Sequence, residues 1–190
     1  MLRAKQEAWT IVLLGEAGVG KTALAARSYD PTIEDLYGRE IQVNNKPCLV
    51  QIIDTAGDGE SLHCFNHSHA ASHRQGDAFV LVYAITSRTS FDKLEELRRS
   101  IARVKGGTPV LYLVANKLDL QVGGREVSKN EGESLGRRFG AQFLEASAKE
   151  DRIESILSKV VESLRELTEC SPLPIARENE PVAECGCVVM

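Results

Sequence analysis

Apolar positions in this chain gather into six short runs, at residues 9–14, 39–44, 48–54, 78–85, 110–115 and 142–146. Short apolar runs bounded by polar or turn residues predict strands, and a spacing of three and four predicts helices. The runs at 39–44 and 48–54, separated by Asn44-Asn45-Lys46-Pro47, have the pattern of an antiparallel hairpin. Alternation in the second run puts Val50, Ile52 and Asp54 on one face, so Asp54 ends a buried strand with its carboxylate pointing outward. Ala23 to Ala26 are good helix formers, but Asp30-Pro31 stops that helix after at most about two turns. A second helix starts at Thr89-Ser90-Phe91-Asp92; Phe91, Leu94, Leu97, Ile101 and Val104 face inward, and Arg98, Arg99 and Arg103 lie on the solvated side. Ser128-Lys129-Asn130-Glu131 is a capping box that opens a helix ending at Gly140. The last helix runs from about Asp151 to Leu167, with Ile153, Ile156, Leu157, Val160, Val161 and Leu164 inward. The expectation is an α/β fold: a six-stranded, mostly parallel sheet with one antiparallel strand and helices on both faces. It occupies one domain at 8–168, between a short extension at 1–7 and a tail at 169–190.

Composition changes this picture little. A chain of 190 residues with 43% hydrophobic content suits one domain with a substantial core. A net charge of −4 argues against a dedicated nucleic-acid surface. Five scattered cysteines do not form a disulfide framework, which favours a reducing compartment. Arg3 and Lys5 precede only the first short strand, so the expectation is neither a signal peptide nor a spanning helix.

The candidate chemistry begins between the first strand and the first helix. Gly15-Glu16-Ala17-Gly18-Val19-Gly20-Lys21-Thr22 reads G-x-x-x-x-G-K-T in the strand, loop, helix context that a phosphate-binding loop requires. Its glycines let backbone N–H groups turn inward on a phosphate, Lys21 reaches the outer oxygens, and the Thr22 hydroxyl ligates Mg²⁺. The plainer reading is a glycine turn that happens to match. Asp54-Thr55-Ala56-Gly57, at a strand end, is what delivers an acid to the Mg²⁺ shell and a glycine N–H to a γ-phosphate. Between these motifs, Tyr29-Asp30-Pro31-Thr32-Ile33-Glu34-Asp35-Leu36-Tyr37 is a polar loop whose one threonine hydroxyl could complete a metal shell.

On these residues the chain resembles the Ras family of small GTPases, and so a P-loop NTPase fold. The resemblance implies that 29–37 is the effector-binding switch segment and that Thr32 closes on Mg²⁺ and the γ-phosphate. It makes Asn116-Lys117-Leu118-Asp119 the guanine-reading loop, in which Asp119 accepts from the N1–H and exocyclic amine of guanine. Adenine cannot offer that pairing, and an unpaired carboxylate generates the specificity. Ser147-Ala148-Lys149 corresponds to the loop whose backbone contacts the base oxygen. GTP or GDP with Mg²⁺ is the implied ligand set. The implied partners are effectors, an exchange factor and an activating protein, and the chain is expected to be a monomer.

Departures from the family pattern set further expectations. Thr22 and Thr32 stand only ten positions apart, fewer than is usual, so the first helix and the segment beside the guanine edge are shortened. Five helical residues advance about 7.5 Å and five extended ones can return up to about 17 Å, which leaves one metal within reach of both hydroxyls. The aromatic that packs beside the base in relatives is missing, which predicts faster nucleotide exchange. Asp58 replaces the glutamine that orients the attacking water, and its carboxylate only accepts hydrogen bonds and repels a γ-phosphate. Ala17 stands where many members have glycine, and there is a short insertion before Gly76; slow hydrolysis is expected. His63, His67, His69, His73 and Cys64 could ligate a transition metal, although a polar loop rich in histidine is the plainer reading. The tail ends Cys185-Gly186-Cys187-Val188-Val189-Met190, a C-a-a-X box favouring farnesylation of Cys187, with Cys185 a candidate for palmitoylation. Two functions follow: a GTP/GDP switch anchored by its farnesyl group to the inner leaflet, on the cytoplasmic face of the plasma membrane, or a lipid-anchored guanine-nucleotide-binding module that does not cycle.

Overall fold

The computed structural model describes residues 7–26, 37–55, 76–105, 108–149 and 153–170. Its strands are β1 (Ala8–Leu14), β2 (Tyr37–Val43), β3 (Lys46–Asp54), β4 (Ala78–Ala84), β5 (Val110–Asn116) and β6 (Gln142–Glu145). They form one sheet in the order β2-β3-β1-β4-β5-β6. Only the β2–β3 pairing is antiparallel. The chain order turns back at β1, and the carboxyl ends of the parallel strands open on one edge, where open α/β sheets bind ligands.

The helices that cover the sheet are α1 (Lys21–Ala26), α2 (Arg88–Asp92), α3 (Leu94–Lys105), α4 (Lys129–Phe139) and α5 (Ile153–Cys170), with a short kinked turn at Gln121–Gly124. Side chains alternate across each strand, so the sheet carries two cores. On one face Ile11, Leu13, Val50, Ile52, Val80 and Val82 pack under α1 and α5. On the other, Val12, Leu14, Phe79, Leu81 and Tyr83 pack under α3 and α4. Every residue of β4 is buried, as a central strand covered on both faces requires. The inward row expected for α5 is buried as expected, with Leu157, Val160 and Val161 fully so. Each such side chain contributes about 1.5–3 kcal/mol of hydrophobic stabilisation. Ser128 accepts from the Glu131 backbone N–H, the Glu131 carboxylate returns to Ser128, and Gly140 closes α4 in the left-handed conformation.

Several boundaries differ from the sequence expectation, each for a local reason. The hairpin turns on Asn44 and Asn45 alone, at φ 54° and 60°. Asparagine tolerates this region and a two-residue hairpin turn demands it, so Lys46 and Pro47 join β3 rather than the loop. Pro47 is accommodated because its nitrogen lies on the same side as that of Leu49, which donates to Glu7 O, and the register with β1 begins only at Ala8 opposite Leu49. The helix expected at Thr89 is capped earlier, by the Ser87 side chain accepting from Ser90 N–H, and breaks into α2 and α3 around Lys93. Arg98, assigned to the solvated face, is half-buried, while Arg99 and Arg103 are exposed. β5 extends through Asn116, which pairs with Ala84. α5 continues past Leu167 to Cys170. The expected start of that helix at about Asp151 and the Asp30-Pro31 stop expected after the first helix lie outside the described residues.

Two ion pairs fasten α5, one to the hairpin and one to the residue that precedes β1. Arg39 of β2 pairs with Glu154 near the start of the helix. Near its end, Arg165 holds Glu7 through both Nε and Nη2 and donates from Nη1 to Val43 O at 2.7 Å. The Arg165 hydrogen bond holds the Glu7 carboxyl below its ordinary pKa.

Candidate functional site

The residues from Gly15 to Thr22 leave the end of β1 and enter α1 without an intervening helix turn. Gly15 passes so close to β4 that a Cβ there would meet Val82 O at 2.2 Å. Gly20 has φ +97°, and a Cβ on it would meet Asn116 Nδ2 at 2.4 Å. A side chain at either position would break the curl of the loop. Inside the curl lies Lys21, buried, with Nζ donating to Gly15 O and Glu16 O at 3.0 Å each. Ala17 and Gly18 form the exposed crest, and Val19 is buried beneath it.

Beside the loop, Thr22 Oγ1 donates to Asp54 Oδ2 at 2.6 Å. The other carboxylate oxygen, Asp54 Oδ1, is buried and without a hydrogen-bond partner among the described residues. A hydroxyl beside a carboxylate with an uncommitted buried oxygen is a hard, all-oxygen donor set, which fits Mg²⁺. Thr55 Oγ1 donates to Leu13 O at 2.8 Å and so ties the end of β3 to the end of β1.

A second cluster of the site is built by Asn116. Its side chain is buried at the end of β5; Nδ2 donates to Val19 O at 2.8 Å and Oδ1 accepts from Ala148 N–H at 2.9 Å. One amide therefore joins the phosphate loop, the 116–119 loop and the 147–149 loop. Lys117 follows in the left-handed conformation at φ 69°, and a 3₁₀ turn over Leu118–Leu120 brings Asp119 round. Asp119 Oδ1 accepts from Ser147 Oγ at 2.8 Å, and the same hydroxyl accepts from Lys149 N–H at 3.3 Å. Asp119 is half-buried and is steered by Ser147.

The structure thus brings Gly15, Glu16, Ala17, Gly18, Val19, Gly20, Lys21, Thr22, Asp54, Asn116, Lys117, Asp119, Ser147, Ala148 and Lys149 to one edge of the sheet. Thr32, Gly57, Asp58, the four histidines and the tail cysteines Cys185 and Cys187 lie outside the described residues. Among the described residues no helix is long and apolar enough to cross a membrane, and no group of acids, histidines and cysteines gathers as a metal cluster. The Glu16 side chain, read from sequence only as a loop position, reaches across to Lys93 and Thr89. The one signal that could have found this contact is a charged residue inside a glycine loop.

Comparison with known proteins decides what such an edge belongs to. The Ras family model matches residues 10–166. The chain belongs to the Ras family. Protein ras-2 of Neurospora crassa is 37% identical across 87% of this chain and 82% of its own length. Ras-like protein 1 of Pyricularia oryzae is 38% identical across 82% and 74%. Ras-like protein rasB of Dictyostelium discoideum is 41% identical across 74% of each. Membership of the family of small GTPases implies, in general, guanine-nucleotide binding, GTP hydrolysis, and interaction with effectors, exchange factors and activating proteins.

Proposed function

We propose that this Ras-family chain is a lipid-anchored GTP/GDP switch whose own hydrolysis is slow. The observation that carries the reading is the Asn116 junction, which joins the phosphate loop to both base-side loops within one hydrogen-bonded unit. That junction supports a site able to hold a whole guanine nucleotide. In this reading the 15–20 backbone cradles the phosphates, Lys21 leaves its loop carbonyls for the outer phosphate oxygens, and Asp119, steered by Ser147, takes the guanine edge. Thr22 and Asp54 are the residues that would hold Mg²⁺, joined by Thr32. When bound, the metal neutralises phosphate charge. Gly57 senses the γ-phosphate, and residues 29–37 are shown to effectors in the GTP state.

Slow turnover rests on Asp58 and Ala17. A carboxylate at 58 accepts hydrogen bonds without donating one and carries charge of the wrong sign for a developing phosphate. The Ala17 methyl crowds the place where an activating protein would insert an arginine. Anchoring rests on Cys187 within its terminal box, with Cys185 as the second lipid site, because a single chain gives only weak, reversible binding. The cytoplasmic face of the plasma membrane is the proposed location.

The test is to purify the chain without added nucleotide, identify what is bound after denaturation, and follow single-turnover GTP cleavage. Bound guanine nucleotide at near-stoichiometric ratio, cleaved slowly, is the expected result. An empty protein would favour the non-cycling module instead. The spacing of only ten positions between Thr22 and Thr32, which leaves a short segment beside the base, is the observation on that side. For the anchor, Cys187→Ser should move the full chain from the membrane to the soluble fraction; unchanged fractionation would remove the lipid from the proposal.

A further inference from the structure

Glu16 occupies the second position of the phosphate loop, and both of its ends are engaged. Its carbonyl accepts from Lys21 Nζ, while its carboxylate leaves the loop altogether to pair with Lys93 and to accept from Thr89 Oγ1 at 3.4 Å. The far side of this bridge is firmly seated. Lys93 N–H donates to Thr89 O at the end of α2, and Ser90 Oγ fixes that short helix to β4 by accepting from Ala84 N–H at 3.1 Å and donating to Ser87 O at 2.8 Å. The Glu16 side chain keeps 21% of its surface exposed and that of Lys93 keeps 46%, so the pair is partly shielded rather than free in solvent. Without the bridge, the limb of the loop carrying Ala17 and Gly18 would lose its side-chain tie to Lys93 and Thr89. A bare carboxylate would also stand one residue from the crest that faces phosphate.

We propose that Lys93 is a positioning residue for the nucleotide site: through Glu16 it holds the outer limb of the phosphate loop and cancels a negative charge beside the phosphates, and so lengthens nucleotide residence. The inference rests on the GTPase reading and extends it to a residue outside every nucleotide motif. It makes an asymmetric forecast. Glu16→Ala removes the tie alone, whereas Lys93→Ala removes the tie and leaves the carboxylate uncancelled, so the second change is the more harmful, and more so for GTP than for GDP because GTP carries more charge.

The experiment measures release of fluorescently labelled GDP and of a labelled non-hydrolysable GTP analogue from the full chain and four variants: Glu16→Ala, Lys93→Ala, the double alanine, and the charge exchange Glu16→Lys with Lys93→Glu. A partly exposed pair predicts release about two- to fivefold faster in each single variant. The double variant is expected to release no faster than Lys93→Ala, and the exchanged pair is expected to return to within about twofold of the parent. Thermal midpoints in saturating nucleotide are expected to stay together, which separates loop positioning from general loss of structure. Parental release rates in the single variants overturn the proposal, as do single effects that multiply in the double variant or an exchanged pair as fast as the singles. A parent chain that takes up no labelled guanine nucleotide overturns the GTPase reading and this inference with it. Binding by the parent with unresponsive variants overturns this inference alone.

Discussion

The side of the site proposed to read the base and the side proposed to hold the phosphates are fastened in different ways. On the base side, Asn116 bridges Val19 and Ala148, positions 97 and 32 residues away, and Ser147 steers Asp119 from a separate loop. On the phosphate side, Lys21 bonds carbonyls five and six residues away, while Thr22–Asp54, Thr55–Leu13 and Glu16–Lys93 each cross to a different element. The base side is one joint that fails as a unit. The phosphate side is a set of separate ties that fail one at a time.

That contrast is broken most directly at Asn116. Asn116→Ala strands a buried carbonyl and a part-buried N–H, and two such losses amount to about 3 kcal/mol. Guanine-nucleotide affinity should fall about a hundredfold. Titration with labelled GDP, together with the thermal midpoint, checks this, and affinity within tenfold of the parent would show that the three loops are held otherwise. Asp119→Ala comes next. Losing a charged acceptor for the base weakens binding by about 1.5–3 kcal/mol, and the preference for GDP over ADP should narrow with it. Competition between the two nucleotides measures the change; an unaltered preference would take base reading away from Asp119.

Thr22→Ala sharpens the other half of the comparison. Removing the hydroxyl costs about 1 kcal/mol at the metal shell, or roughly fivefold in GDP release when Mg²⁺ is present. Chelating Mg²⁺ should accelerate release less in the variant than in the parent, by about that fivefold, while both keep the parental preference for guanine. The smallest effect is expected outside both halves, at Glu131. Arg88 and the Ser128 side chain and backbone lower its carboxyl pKa to about 2 from 4.5. A depressed folded-state pKa means stability that is fully present above pH 4.5 and is lost as the pH falls toward 2. Glu131→Gln should flatten the acid limb of a melting-temperature profile slightly, since the group is exposed and screened. An unchanged limb would mean that the capping pair titrates as it does in the unfolded chain.

The elements that a sequence can announce are those whose signals are local. The capping box of Ser128 and Glu131, the Gly140 cap, the inward row from Ile153 to Leu164, and the glycine loop followed by Lys21 and Thr22 were all legible for this reason. The hairpin boundary was not, because Lys46-Pro47 reads as a turn and only the left-handed pair Asn44-Asn45 shows where the chain reverses. The Ser87 cap was obscured by a second plausible start two residues on. In the site, residue types were legible and their mutual engagement was not. Asn116 reads as one letter of a base motif, yet its amide is committed to Val19 and Ala148, and such a commitment exists only after the strands have been placed side by side.

Arg165 shows what such commitments imply for the order of assembly. Its guanidinium gathers Glu7 and Val43, which precede it by 158 and 122 residues. Contacts that close loops of this length form only after the rest of the chain has condensed, so they add little to the folding nucleus and much to the barrier against leaving the native state. The clasp therefore acts as a brake on unfolding, applied where the last described helix runs out toward the tail.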